Sequence, residues 1–264
     1  MAGKSRVSDW LRRRSENASG SGRAARAAAP DDLRRDELIQ AAVAASYPVA
    51  PAVHPEGFGC SCDRIGCHIP GVHPVSQAWQ TQASTDPQRV AQWLDGQPLA
   101  NFITATGLNH DVLDVPAQAG RLALERLSAD SATAGPVALQ GEDRMLFFTA
   151  TRGTPADEDE WWPCALDCNP ETADEHPGIR WHCRGSYVLL PPARLPSGGT
   201  VSWLPGLGPD LPLPDPLPVL GILSDACAQL DDGGDGTDRA DRTDRADVAG
   251  GTDDARPEPA VWSR

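Results

Sequence analysis

Aromatic residues are scarce in this chain, where they make up 5% of 264 residues and eight of them are tryptophan. Phenylalanine and tyrosine therefore cannot supply most of a hydrophobic core. Because apolar residues still amount to 40% of the chain, we expect tryptophan, leucine and valine to fill that core. Glycine and proline, with 25 residues each, exceed their usual share and indicate many turns.

Long apolar runs are also missing, which excludes a transmembrane helix and a membrane partner. The basic N-terminal stretch lacks the apolar centre of a secretory signal. The seven cysteines are an odd number and accompany no export signal, which indicates a reducing compartment in which disulfides are rare. We therefore expect a cytoplasmic protein whose clustered cysteines bind metal.

Three common functional motifs are absent from the sequence. There is no glycine-rich phosphate loop of the Walker type, no G-x-S-x-G nucleophile turn and no convincing helix-turn-helix. The corresponding classes of nucleotide hydrolase, serine hydrolase and DNA-binding protein are therefore not indicated.

Positive charge is lacking in the central part of the chain. Residues 1–30 carry a formal charge of +5, residues 31–230 carry −14, and residues 231–264 carry −5. Binding to nucleic acid requires basic groups that neutralise phosphates. Any such binding would therefore use a local basic patch or the N-terminal arm.

Metal-binding residue types are concentrated in one short loop, Cys60-Ser-Cys62-Asp-Arg-Ile-Gly-Cys67-His68-Ile-Pro-Gly-Val-His73. Thiolates and imidazoles are the ligands that zinc prefers, four at a time in a structural site. The three cysteines with either His73 or His68 would form a Cys3His set. The C-x-C-x4-C spacing is less common than C-x2-C, so free thiols or a disulfide pair are the alternatives.

Composition and periodicity divide the chain into a disordered basic arm over residues 1–30, an α+β domain over residues 31–230, and a disordered acidic tail over residues 231–264. Residues 204–218, rich in proline and leucine, are expected to form an extended loop. The sequence predicts helices at 31–47, 87–96, 120–127 and 219–230, and strands at 49–53, 101–106, 110–115, 136–140, 144–149, 179–183 and 186–190.

Two polar motifs in the domain are candidates for chemistry. Asp111 and Asp114 lie in one predicted strand, but residues three apart point to opposite faces, so the two carboxylates cannot form one site. His182 and Arg184 could contact an anion, or could be ordinary polar residues of a surface hairpin. A third motif is Trp161-Trp162-Pro-Cys164 with Cys168. It indicates a loop that packs its two tryptophans rather than a metal site.

In order and spacing, several segments over residues 35–225 resemble the N-terminal domain of bifunctional DNA primase/polymerases, in the archaeo-eukaryotic primase superfamily, and especially its actinobacterial members. The segments that carry the resemblance are Cys60 to Pro74, Ala78-Trp79, Ser84 to Pro87, Trp93, Ala100 to Gly107, Val112 to Val115, and Gly185 to Pro192. The resemblance implies a primase/polymerase-like domain of short mixed strands with flanking helices, plus the small metal loop over residues 60–73.

The resemblance also implies catalytic positions, and most of them are altered here. Asp114 matches the first of two metal-binding acids in the family, but Pro116 occupies the second position. A family histidine that contacts the nucleotide phosphates aligns with Met145, beside Arg144, and a third-motif acid aligns with His182. One of the four expected catalytic side chains therefore matches, and the site resembles a degenerate one.

Three functions follow as hypotheses. The first is template-directed nucleotidyl transfer with magnesium or manganese at Asp114, assisted by His182 or by a recruited Asp111, Glu142 or Asp143. The second is a non-catalytic module, stabilised by zinc, that binds nucleotide, nucleic acid or a protein. The third is a zinc-stabilised interaction protein without a nucleic-acid role.

A basic cleft near Asp114 would favour the first two hypotheses, and an acidic surface there would favour the third. Arg144 and Arg184 are the candidate nucleotide or nucleic-acid contacts, and Arg180 would also line such a cleft. Because no helicase domain follows on the chain, a replication role would require a separate helicase as partner.

Overall fold

The computed structural model describes residues 30–57, 59–62, 64, 66–129, 133–152 and 178–240, with backbone alone for residues 30–33 and 231–240. Within these ranges no helix is long and apolar enough to cross a membrane. The basic arm up to residue 29, the Trp161-Trp162 motif with Cys164 and Cys168, and the tail beyond residue 240 lie outside the described residues.

The described chain is a mixture of helices and antiparallel strands, which confirms the predicted α+β class. The helices are α1 (Pro30–Ala44), α2 (Trp79–Gln82), α3 (Pro87–Gly96), α4 (Ala117–Ala129) and α5 (Pro216–Ala240). The strands are β1 (Val49–Ala52), β2 (Pro55–Glu56), β3 (Gly59–Cys60), β4 (Asn101–Ala105), β5 (His110–Pro116), β6 (Val137–Gln140), β7 (Arg144–Ala150), β8 (Arg180–His182), β9 (Tyr187–Leu189), β10 (Ala193–Arg194) and β11 (Thr200–Trp203).

Two sheets form the centre of the fold. The larger has six strands in the order β10-β11-β6-β7-β5-β8, and the smaller has three in the order β1-β4-β9. A separate hairpin, β2-β3, begins the cysteine loop. Strand β5 therefore lies between β7 and β8, where it can bring their side chains to one place.

Side chains alternate across the six-stranded sheet and form two cores. One core contains Phe148 of the large sheet, Ile103 of the small sheet, and Ile39 and Val90 of helices α1 and α3. The other core packs the opposite face of the large sheet against Leu127 of α4 and other residues of α4 and α5. The face of β5 that carries Asp114 is the one that faces the small sheet, because Val112 belongs to the first core.

Local capping signals explain two helix starts. Asp86 Oδ1 accepts a hydrogen bond from the Gln88 backbone N–H at 3.0 Å, as the N-cap of α3. Asp215 does the same for the Leu217 N–H at 3.0 Å, and Pro216 follows at the first helical position. This second cap places the start of α5 inside the predicted 204–218 loop, which is a correction.

The structure has two further features that the sequence did not predict. Strands β8 and β9 follow each other in sequence, but β8 pairs with β5 in the large sheet and β9 pairs with β4 in the small one. The turn between them, with Gly185 at a φ of +97°, carries the chain from one sheet to the other. At the other end of the domain, α5 continues beyond Leu230 to Ala240, into the segment assigned to the acidic tail.

Candidate functional site

Asp114 lies in the middle of β5, on a sheet face that it shares with basic residues. Arg180 is directly opposite Asp114 in the β5–β8 ladder, and His182 is opposite Val112 two residues earlier. Opposite residues of an antiparallel pair project to the same face, so Asp114, Arg180 and His182 face the same side. Asp114 is only 4% exposed, whereas Arg180 is exposed to solvent.

Arg144, at the start of β7, contacts the Asp114 carboxylate from the side of β5 opposite to β8. Its Nε donates a hydrogen bond to Asp114 Oδ1 at 2.7 Å. Its Nη2 donates to the backbone carbonyl oxygens of Asp114 and Gly178, both at 3.0 Å. Charge-assisted hydrogen bonds of this length are the strong ones, so Arg144 is firmly held against Asp114.

His182 approaches the second oxygen of the same carboxylate. Its Nε2 lies 3.5 Å from Asp114 Oδ2, and its Nδ1 lies 3.0 Å from Ser186 Oγ. Burial raises the pKa of Asp114, but the contacts with His182 and Arg144 outweigh burial and hold that pKa below its ordinary value. The carboxylate is therefore charged at neutral pH and is paired with the Arg144 guanidinium.

The other acids suggested by the sequence do not join Asp114. Asp111 projects to the opposite face, as predicted, where its Oδ2 accepts hydrogen bonds from Trp181 Nε1 and the Arg152 N–H, each at 3.2 Å. Glu142 and Asp143 are exposed in the turn between β6 and β7. Among the described residues, no group of three or more acids, histidines or cysteines forms around Asp114.

The donor set at Asp114 does not fit a pair of magnesium or manganese ions. Such ions require several oxygen ligands, and two-metal sites use several carboxylates to hold them. Among the described residues Asp114 supplies the one carboxylate here, which is already bonded to Arg144 and lies on the same face as Arg180 and His182. The two guanidinium groups would repel a metal ion and attract an anion.

Two other predicted site residues have different positions. Met145 is 1% exposed and projects to the helix-facing core, where it lies against Gly120 of α4. Arg184 is exposed in the turn after β8, and its backbone packs on Gly107. The strand pairing brings Arg180 and His182 to the face of Asp114, and the hydrogen bond to Oδ1 brings Arg144 there. The contact predicted for Arg184 stays a prediction.

The cysteine loop brings together the predicted ligands. The ligand atoms of Cys60, Cys62, Cys67 and His73 all lie within 4.8 Å of one another, which fits a single metal ion. His68 is exposed and is not part of this cluster, so of the two histidines considered it is His73 that lies with the three cysteines.

Neighbouring backbone groups orient these ligands. His73 Nδ1 lies 2.9 Å from the Pro74 carbonyl oxygen, which leaves Nε2, at 3.5 Å from Cys60 Sγ, to face the cluster. The Gly71 N–H donates a hydrogen bond to Cys60 Sγ at 3.3 Å. A hydrogen bond from the Arg64 backbone is the main cause that lowers the pKa of Cys62 to about 7. The surroundings of Cys62 thus favour the thiolate form that binds metal, whereas burial raises the pKa of the neighbouring Cys67.

Comparison with known families identifies the class of this protein. The family model of the bifunctional DNA primase/polymerase N-terminal domain, Prim-Pol, matches residues 39–218. Because this match covers more than half of the chain, the chain belongs to the Prim-Pol family, which confirms the resemblance found in the sequence. A comparison with curated proteins finds no match. Family membership implies interaction with nucleotides and nucleic acid.

Proposed function

We propose that this protein is a Prim-Pol family module that binds the phosphate groups of nucleotides or nucleic acid without transferring nucleotides. The observation that carries the proposal is the enclosure of Asp114 by Arg144 and His182 at the family's metal position. A site that held divalent metal would need unpaired acids, whereas the described residues of this site include more basic than acidic groups.

Three basic side chains supply the proposed anion site. Arg180 is exposed beside Asp114, and His182 and Arg144 are partly exposed, with 17% and 21% of their side chains accessible. The negative phosphate would contact Arg180 first, because Arg144 already donates to Asp114. Guanidinium groups suit this role since they bind phosphate with paired hydrogen bonds. The exposed Arg184 would add a contact farther along a bound strand.

Template-directed nucleotidyl transfer is the second candidate, favoured by family membership and by the retained Asp114. It would require Asp114 to leave Arg144 and to bind magnesium or manganese together with acids from elsewhere in the chain. In a replication role its partner would be a helicase.

Zinc is the ion proposed for the cysteine cluster. Three thiolates and one imidazole are a typical structural zinc set, and the four ligands leave no open position for chemistry. The bound ion would cross-link the β2-β3 hairpin to the loop that ends at His73. A zinc-stabilised interaction protein without a nucleic-acid role is the third candidate, and the acidic central charge favours it.

One variant, Asp114→Asn, separates the first two candidates. The full chain would be tested for template-directed incorporation with magnesium and with manganese, and for binding of a fluorescent single-stranded oligonucleotide. We expect no incorporation by either protein, and binding by the variant at least as tight as by the wild type, because a negative charge has been removed. Incorporation by the wild type that is lost in the variant would overturn the proposal.

A matched pair of arginine variants locates the binding. Arg180 and Arg121 are both exposed, and neither side chain makes a hydrogen bond to another described residue, but Arg121 lies on α4, on the far side of the large sheet. We expect Arg180→Ala to weaken oligonucleotide binding about fivefold, because one phosphate contact is lost. Arg121→Ala should have little effect. Equal effects would place binding elsewhere, and no binding by the wild type would favour the third candidate.

A further inference from the structure

Ser186 makes a contact with His182 that phosphate binding does not require. Ser186 Oγ lies 3.0 Å from His182 Nδ1, and His182 Nε2 lies 3.5 Å from Asp114 Oδ2. A serine hydroxyl, an imidazole and a carboxylate therefore follow one another in the order nucleophile, general base and orienting acid. Hydrolases of unrelated folds use this order, here with the two imidazole nitrogens exchanged.

Backbone hydrogen bonds hold Ser186 in place at the turn between β8 and β9. Its N–H donates to the Cys183 carbonyl at 3.1 Å, and its own carbonyl accepts from the Thr106 N–H at 3.1 Å. The carbonyl of the preceding Gly185 accepts a hydrogen bond from Gln80 Nε2 at 3.2 Å. The hydroxyl is therefore presented by a fixed backbone, which reduces the entropy cost of placing a reacting group against it.

The Asp114 carboxylate gives His182 the tautomer that a base requires. Because Asp114 is negatively charged and faces Nε2, it favours the neutral imidazole with its proton on Nε2. The unprotonated Nδ1 then faces the Ser186 hydroxyl and accepts its proton. Arg144 holds the other carboxylate oxygen at 2.7 Å. Asp114 and Arg144 are therefore positioning residues, and His182 is the general base.

The charge on this sheet face indicates what the serine would attack. Arg180 is exposed and lies two residues before His182 on the same face of β8, roughly 7 Å along the strand. A phosphodiester carries its negative charge on oxygens bonded to the reacting phosphorus, so a guanidinium both binds it and stabilises its transition state. The reacting carbonyl of a carboxylic ester carries no such charge, which favours the phosphodiester as substrate.

We propose that Ser186 is the nucleophile of a phosphodiester hydrolase, with His182 as general base and Arg180 as the cation at the phosphate. In the first step a bond forms between Ser186 Oγ and phosphorus, the hydroxyl proton passes to His182 Nδ1, and an alcohol leaves with that proton. In the second step water attacks phosphorus, and His182 transfers a proton from the water to Ser186 Oγ as the Oγ–P bond breaks.

The net reaction converts a phosphodiester and water into a phosphomonoester and an alcohol. No template and no incoming nucleotide take part, which distinguishes it from nucleotidyl transfer. The inference rests on the proposed phosphate-binding function and adds a reaction to it.

A fluorophosphonate probe tests the serine separately from phosphate binding, because the probe is uncharged and reacts with serines that a base activates. We expect mass spectrometry to find the label on Ser186 of the full chain. His182→Ala should lower the labelling rate at least about 100-fold, as for loss of a general base. Ser128→Ala, which changes an exposed serine of α4, is the control and should label at the wild-type rate. An unlabelled Ser186, or an unchanged rate in His182→Ala, would overturn the inference.

Asp114→Asn separates a positioning role from a purely structural one. The variant should label at least about tenfold more slowly, because it no longer favours the reactive tautomer of His182. The same variant should bind the oligonucleotide at least as tightly as the wild type. A parallel loss of labelling and of binding would contradict the positioning role of Asp114.

Hydrolysis of bis(p-nitrophenyl) phosphate tests the substrate class, with p-nitrophenyl acetate as the uncharged comparison. We expect the wild-type chain to release nitrophenol from the phosphodiester and Ser186→Ala to release none. Equal release by the two proteins, or hydrolysis of the acetate alone, would overturn the inference. Oligonucleotide binding without hydrolysis would overturn this inference only, whereas absence of oligonucleotide binding would overturn the phosphate-binding function.

Discussion

Asp114 of β5 and Arg144 of β7 lie on neighbouring strands and meet through a 2.7 Å hydrogen bond between Oδ1 and Nε. The carboxylate is 94% buried as a side chain and the arginine 79% buried, so the pair is largely removed from water. Removing one partner of a buried ion pair leaves the other charge buried and uncompensated. The consequences for stability can be measured directly.

Arg144→Ala should destabilise the domain by about 2–3 kcal/mol, because Asp114 would lose its strongest partner while remaining buried. The double variant Arg144→Ala with Asp114→Ala should recover part of this loss. Urea denaturation of the wild type, both single variants and the double variant gives the coupling energy of the pair. A coupling energy near zero would contradict the tight pairing described for these residues.

His110 should make the domain sensitive to moderate acid. It is fully buried, its ring stacks on Tyr47 with centroids 4.4 Å apart, and burial lowers its pKa to about 3. The unfolded chain takes up a proton on this histidine near pH 6.5, while the folded chain resists it down to about pH 3. Stability should therefore fall as pH decreases across this interval.

Urea denaturation between pH 7 and pH 4 measures the effect of His110. We expect the free energy of unfolding of the wild type to fall by about 3 kcal/mol between pH 7 and pH 4. The variant His110→Gln should lose most of this pH dependence. His54→Gln is the control, since His54 is less buried. If the wild type and His110→Gln lose stability in parallel, His110 is not responsible.

His73→Ala should abolish metal binding and lower the melting temperature, and the nearby His68→Ala should do neither. His73 is 6% exposed and belongs to the ligand cluster, whereas His68 is exposed outside it. Metal content of the purified proteins and thermal melts with and without a chelator provide the measurement. Loss of metal from His68→Ala with retention by His73→Ala would reverse the ligand assignment.

Gly107→Ala should be far more damaging than Gly206→Ala, although both glycines have a φ of +77°. A Cβ at Gly107 would lie 2.1 Å from the backbone N and Cα of Arg184, while a Cβ at Gly206 would meet nothing within 4 Å. We expect a loss of about 1 kcal/mol at Gly206 from the backbone strain alone, and at least about 3 kcal/mol at Gly107. Similar melting temperatures for the two variants would show that the contact with Arg184 is not close.

The sequence predicted much of the local structure because local signals determine it. The Asp86-Pro87 start of α3 and the paired strands β6 and β7 follow from capping and alternation, and both are confirmed. The α5 start at Asp215-Pro216 carried the same capping signal and was missed. The resemblance to Prim-Pol proteins was also sufficient to identify the family, because order and spacing of short segments survive when single residues change.

Pairing between distant strands was the part that sequence reasoning could not supply. The partners of β8 and β9 depend on long-range packing, and the pairing of β8 with β5 rather than with β9 decides that Arg180 and His182 face Asp114. Periodicity gives the face of a residue within its own strand, but not the neighbouring strand. The ion pair of Asp114 with Arg144 became visible only with the β5–β7 register.

One carboxylate, that of Asp111, bonds both to the Arg152 backbone just after β7 and to the Trp181 indole within β8. These two groups belong to the ends of strands that lie on either side of β5. The buried Asp111 therefore ties the end of β7 to β8 across the strand between them, in addition to the hydrogen bonds of the ladders themselves.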